Sequence, residues 1–145
     1  MTAEELSAQV AAAVTEVARL LLREGVHVNR TSLSVLATLR DGPRRITDLA
    51  DGEYISQPGM TTLVSRLEDE GWVERRPDPN DGRAVLVAIT RAGSRMLDSA
   101  IAARTDVLRL RIEPLGPKER QALAKAVEAL RYLTRDPSAY RDPAE

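Results

Sequence analysis

The sequence predicts a fold that is mainly α with a small β-hairpin wing (α+β), its helices flanking a compact middle. Three observations predict it. Apolar residues recur at steps of three and four through most of the chain, a strand-like alternation occurs once, at 85–89, and Pro, Gly and Asn-Asp punctuation surrounds that switch. The chain has 145 residues and is read as a single domain, 1–145, because a chain of that size buries roughly 70% of its unfolded surface without staples.

Residues 2–24 place Leu6, Val10, Val14, Val17 and Leu21 on one helical face, Thr2 and Glu5 have capping-box spacing, and Gly25 closes the segment. Thr31 is read as the cap of a second helix with Leu33, Leu36 and Leu39 inward, stopped by Asp41-Gly42-Pro43. Ile46 to Asp51 reads as a short helix closed by Gly52. Ser56 caps the next helix, whose first turn tolerates Pro58; Met60, Leu63, Val64 and Leu67 form its buried stripe and Gly71 ends it.

From Val73 the period changes. Val85, Val87 and Ile89 alternate with Leu86 and Ala88, while Pro77, Pro79 and Asn80-Asp81-Gly82 are read as forbidding regular pairing, giving a two-stranded hairpin with a projecting loop. Thr90 caps a long helix with Leu97, Ile101, Leu108 and Ile112 in register, and Gly116-Pro117 starts another bearing Leu123, Val127 and Leu130. Residues 136–145 form a polar, Pro-containing tail. The middle unit is too small to cover the apolar stripes of the first and last helices, which points to a second copy in a two-fold homodimer.

Composition removes several function classes. There is no cysteine and one histidine, His27, so disulfide frameworks, thiol nucleophiles and Cys- or His-built zinc sites go together. No metal and no cofactor are expected, and with neither a nucleophile-base pair nor a Gly-rich phosphate loop the chain is not read as an enzyme. An acidic start, Met1-Thr2-Ala3-Glu4-Glu5, and the lack of any apolar run near the roughly 20 residues a bilayer needs point to a cytoplasmic protein with no membrane partner. The formal net charge of −1 conceals an uneven distribution. Between Arg75 and Arg95 five arginines face two aspartates, leaving +3 per chain.

Short helix, tight turn, helix and hairpin make a winged helix-turn-helix, about 31–90, whose second helix can enter a major groove roughly 12 Å wide. The remaining helices, about 2–24, 91–112 and 117–135, are left to dimerise. With the apolar stripe inward, Gln57, Thr61, Thr62 and Ser65 face out and Pro58 and Gly59 form the tip. The run from Arg66 through Gly71-Trp72-Val73 and Arg75-Arg76-Pro77-Asp78-Pro79-Asn80-Asp81-Gly82-Arg83 to Ile89-Thr90-Arg91-Ala92-Gly93 resembles the recognition-helix and wing signature of the MarR family. The helix order extends that resemblance over residues 2–135.

The resemblance implies an obligate dimer joined through the terminal helices. It also implies that Arg83 reaches the minor groove or its phosphates while Asp81 orients the loop, a placement consistent with the attraction of a narrow minor groove for arginine. Ser56, Gln57, Pro58, Gly59, Thr61, Thr62, Ser65 and Arg66 become the recognition-helix contacts, and Arg75 and Arg76 the phosphate clamps at the hairpin base. Many relatives carry arginine where this chain has Thr62, so operator specificity does not carry over, and an aliphatic side chain where it has Trp72, which is read as core packing. Arg23, His27 and Asn29 lie where the family's effector pocket forms and are candidates for an anionic or aromatic small molecule. The expected function is sequence-specific binding of a pseudo-palindromic double-stranded DNA operator by a repressor that a small molecule releases. The alternative is a winged helix used for protein contacts or nonspecific DNA binding.

Overall fold

The computed structural model describes residues 1–24 and 28–135. The chain divides into two compact units, 1–107 and 108–145. The first holds α1 (Ala3–Arg23), α2 (Arg30–Arg40), β1 (Arg44–Arg45), α3 (Ile46–Gly52), α4 (Gln57–Asp69), β2 (Val73–Asp78), β3 (Asp81–Ile89) and most of α5 (Arg91–Ile112). The second holds the end of α5 and then α6 (Pro117–Leu133). This is the order read from the sequence with β1 added.

α1 starts in the capping box its first residues suggest. Thr2 Oγ1 accepts from the Glu5 amide at 3.1 Å and Glu5 Oε2 accepts from the Thr2 amide at 2.7 Å. No residue of α1 is buried, and Leu6, Val14 and Val17 stay exposed. Gly25, expected to end the helix, lies outside the described residues. The cap of α2 is Asn29 and not Thr31: Asn29 Oδ1 accepts from the Thr31 amide at 2.8 Å. Asparagine is at least as good a cap as threonine, and starting two residues earlier lets Thr31 supply the donor instead of the acceptor.

The core of the first unit gathers Leu33, Val35, Leu36 and Leu39 from α2, Leu49 and Ala50 from α3, and Met60, Leu63, Val64 and Leu67 from α4. Val73, Val87, Leu97 and Ala100 close it from the sheet and α5, with Ile46, Trp72, Ile89 and Met96 packed at its margin. Every apolar position assigned to the stripe of α4 is therefore inward, and Trp72 packs as its core reading requires. Gly52 does not close α3. It is the last helical residue, and Tyr54 takes the left-handed position with φ 54°.

The sheet has three antiparallel strands in the order β1-β3-β2, where a two-stranded hairpin was expected. Arg44 pairs with Val87 and Arg45 with Leu86. A two-residue polar strand has no alternation for a sequence pattern to reveal. The hairpin is also paired further than its prolines suggested, through Pro77 opposite Val85 to Asp78 opposite Asp81, with a register shift between Pro77 and Asp78. β2 is an edge strand, so a proline there can turn its missing N–H away from the ladder. Only Pro79 and Asn80 separate the two strands.

Thr90 links the sheet to α5. Its Oγ1 accepts from the Gly93 amide at 3.1 Å, as a cap should, and donates to the Gly71 carbonyl at 2.6 Å. In the second unit, Arg120 Nε donates to Leu115 O at 3.0 Å and Nη2 donates to Glu113 O, fixing the turn into α6. Leu123, Val127 and Leu130 recur along α6 and all remain exposed.

Candidate nucleic-acid interface

α4 is set by its cap and its buried stripe. Ser56 Oγ accepts from the Gly59 amide at 3.2 Å, and Pro58 lies in the first turn, where its missing N–H is harmless. A Cβ on residue 59 would come within 3.1 Å of Ser56 Oγ, so Gly59 leaves room for the cap. With Met60, Leu63, Val64 and Leu67 buried, Gln57, Pro58, Gly59, Thr61, Thr62 and Arg66 are exposed and Ser65 is half-buried. Thr62 Oγ1 donates to Pro58 O at 3.0 Å. Its proton is thereby committed, and Thr62 offers an outside partner its lone pairs and its methyl group.

Two arginines carried by β2 tie the wing together. Arg75 Nη2 donates to Ser65 Oγ at 3.0 Å and its Nε lies 3.5 Å from Glu68 Oε1, so the base of the hairpin is joined to α4. Arg76 Nε donates to Glu74 Oε1 at 2.7 Å. Arg75, Arg76 and Arg83 line one hollow of about 300 Å³ with Pro77, Gly82, Ala84 and Val85. Arg83 and Arg66 have no hydrogen-bond or ion-pair partner for their guanidinium groups among the described residues, whereas Arg75 and Arg76 are already partly neutralised.

Asp81 Oδ1 accepts from the Arg83 amide at 3.1 Å, which orients the backbone that carries Arg83. The stronger brace is a pair that sequence reasoning missed. Asp78 is 7% exposed; its Oδ1 accepts from the Asn80 amide at 2.9 Å and its Oδ2 from Arg45 Nη2 at 2.8 Å. Arg45 also approaches Asp81 Oδ2 at 3.9 Å. The Asn80 amide, then the Arg45 guanidinium, hold the Asp78 carboxyl below the usual aspartate range, and Asp78 raises Arg45 in turn. Arg45 meets Asp78 only because β1 pairs with β3, and no local spacing signals that.

Of the three residues considered for an effector, two fall among the described residues. Arg23 sits in the last turn of α1, Asn29 caps α2, and His27 lies outside the described residues. Asn29 lines a hollow of about 230 Å³ with Val28, Ser32, Arg66, Leu67, Glu70 and Trp72. A larger cleft, about 330 Å³, is walled by Val14, Val17, Ala18, Leu21, Leu22 and Val28, with Arg30 and Arg104 as its charged groups. Arg104 Nε is buried with no hydrogen-bond partner. Neither arginine stands out in the sequence, because only packing between α1, α2 and α5 puts them on one wall. Among the described residues no cluster of His, Cys, Asp or Glu could hold a metal ion, and no helix is long and apolar enough to cross a membrane.

A helix-turn-helix whose second helix shows a polar face, followed by a braced hairpin with arginines in its hollow, defines a winged-helix DNA-binding protein. The MarR family model matches residues 28–85. The uncharacterised HTH-type transcriptional regulator Mb0904 of Mycobacterium bovis is 36% identical over 107 residues, covering 73% of this chain and 75% of that protein. Among solved structures, a mutant of E. coli MarR aligns with a TM-score of 0.72 at 22% identity, covering 90% of this chain and 96% of its own. Bordetella bronchiseptica BpsR, whose DNA binding is regulated by 6-hydroxynicotinic acid, aligns with a TM-score of 0.63 at 20% identity, covering 94% and 98%. The chain belongs to the MarR family and is a DNA-binding transcriptional regulator, not an enzyme.

Proposed function

We propose that this chain acts as a homodimer that binds a pseudo-palindromic operator, represses transcription there, and is released by a small molecule. The observation that carries the DNA reading is the Arg75 to Ser65 contact, which makes the outward face of α4 and the arginine-lined hollow of the wing one surface. Such a surface can occupy a single half-site. α4 would enter the major groove, with Gln57, Thr61 and Thr62 toward base edges and the Pro58-Gly59 tip leading. Ser56, Ser65, Arg66, Arg75 and Arg76 would hold the backbone, and Arg83, oriented by Asp81, would reach the adjacent minor groove.

The uncovered stripes of α1 and α6 support a two-fold dimer, which would present two α4 helices roughly 34 Å apart, one turn of DNA. Release requires a ligand with different affinity for two dimer shapes. The apolar cleft holding Arg30 and Arg104 suits a small anionic or aromatic molecule, and BpsR is a structural relative under such control. Arg30 and Arg104 join Arg23 as the charged candidates.

Selection of bound fragments from random DNA, followed by salt titration, tests the reading. An inverted repeat should emerge. Arg83→Ala should weaken binding and reduce the salt slope by about one counterion per lost phosphate contact at each half-site. Recovery of no inverted repeat, or equal competition by unrelated DNA, sinks operator control even though the fold stands.

A further inference from the structure

Among the described residues, three helices of the first unit end with a residue at positive φ. Two of the three residues are glycines, Gly42 and Gly71, and the third is Tyr54. The comparison between α3 and α4 is close, because both end in the same hydrogen-bonded turn. After α4, Trp72 N donates to Leu67 O at 2.9 Å and Gly71 N to Glu68 O at 2.9 Å. After α3, Ile55 N donates to Ala50 O at 3.1 Å and Tyr54 N to Asp51 O at 3.3 Å. Glycine is the usual occupant of the left-handed position in this motif, since any Cβ is crowded there. The chain meets that preference at Gly71 and departs from it at Tyr54, with a large aromatic side chain.

Nothing among the described residues compensates. Tyr54 is 96% exposed, and its phenol makes no hydrogen bond among the described residues. Its acidic neighbour Glu53 is engaged elsewhere, accepting from Ser34 Oγ at 2.5 Å. A strained backbone carrying an exposed aromatic group is a feature that folding alone would discard, which points to an external contact. The position says which one. Tyr54 stands two residues before Ser56, the cap of α4, and three before Gln57, so it flanks the tip of the helix that meets DNA.

We propose that Tyr54 is a DNA-backbone contact, its phenol donating a hydrogen bond to a phosphate oxygen at the edge of the groove that α4 enters. The inference rests on the operator reading above. A neutral O–H donor suits a phosphate and displaces no cation of its own, and tyrosine is among the side chains that position proteins on the backbone without reading sequence. The left-handed turn would aim the ring at the strand instead of along the helix.

The test measures binding of the full-length protein to the selected operator and to unrelated DNA across salt concentrations, for wild type, Tyr54→Phe and Tyr54→Gly. Tyr54→Phe keeps the ring and the turn but lacks the donor; it should bind about five-fold more weakly on both DNAs with an unchanged salt slope. Tyr54→Gly should lose at least as much affinity while its unfolding midpoint stays equal or rises, because the turn is relieved. Wild-type affinity in both variants would overturn the proposal, as would a lowered midpoint in Tyr54→Gly or an altered dimer dissociation with DNA affinity intact. Those failures leave an inverted repeat selected by the wild type, whereas failure of the operator reading itself leaves none.

Discussion

Gly93→Ala tests the packing of α5 against the DNA-binding elements. Gly93 is buried in the first turn of α5, where its amide donates to Thr90 Oγ1. A Cβ there would lie 2.1 Å from the Trp72 carbonyl oxygen and 2.9 Å from both the Trp72 carbonyl carbon and Ile89 Cγ1. Ordinary contact begins at 3.4 Å, so the first gap must open by 1.3 Å. Ile89 Cγ1 can yield by rotation, but the Trp72 carbonyl cannot. It is backbone and already accepts from the Thr90 amide at 3.0 Å, so moving it breaks a bond that sets the junction. Overpacking of this kind costs about 1–3 kcal/mol where side chains can adjust, and an immovable backbone group puts the loss at the upper end, about 3 kcal/mol. At about 3 °C per kcal/mol for a chain of this size, the unfolding midpoint should fall by roughly 9 °C. Thermal unfolding at fixed protein concentration measures it, with Gly82→Ala as the control, since nothing lies within 4 Å of a Cβ there. A midpoint for Gly93→Ala within about 2 °C of the control would refute the argument.

Asp78→Asn should loosen the wing and weaken DNA binding without disturbing the core. The Asp78 carboxyl is held below its ordinary range in the folded protein, so its contribution is complete above that range and is lost as the pH falls through the folded value. The difference in unfolding midpoint between wild type and Asp78→Asn should therefore be largest near neutrality and shrink below about pH 4; a difference constant with pH would refute the linkage. Thr61→Ala should change base preference by about 1–3 kcal/mol if Thr61 makes a direct contact, whereas equal losses on all sequences would assign it to the backbone. Thr62→Val keeps the methyl group and removes the lone pairs. Retained specificity would mark a thymine-methyl contact, and lost specificity an accepted hydrogen bond.

The sequence by itself determined the helices and their inward faces. Met60, Leu63, Val64 and Leu67 recur at helical spacing, Ser56 and Thr2 are capping residues with their partners three positions on, and a change of period marks the hairpin. These are local signals, carried by neighbours within one or two turns, and the polar face of α4 follows from them by geometry. The family resemblance drew on the same contiguous stretch, from Arg66 to Gly93. What only the tertiary structure decided depends on residues far apart in the chain. Arg45 reaches Asp78 because a two-residue strand pairs with β3, and the tip stays paired because β2 lies at the sheet edge. Arg30 and Arg104 share a cleft through the packing of three helices. At Tyr54 the local rule itself misled, since Gly52 offered the expected stop two residues early. Helix ends are set by where the chain must next go to keep Leu49 and Met60 in one core, and that requirement put the left-handed turn at residue 54.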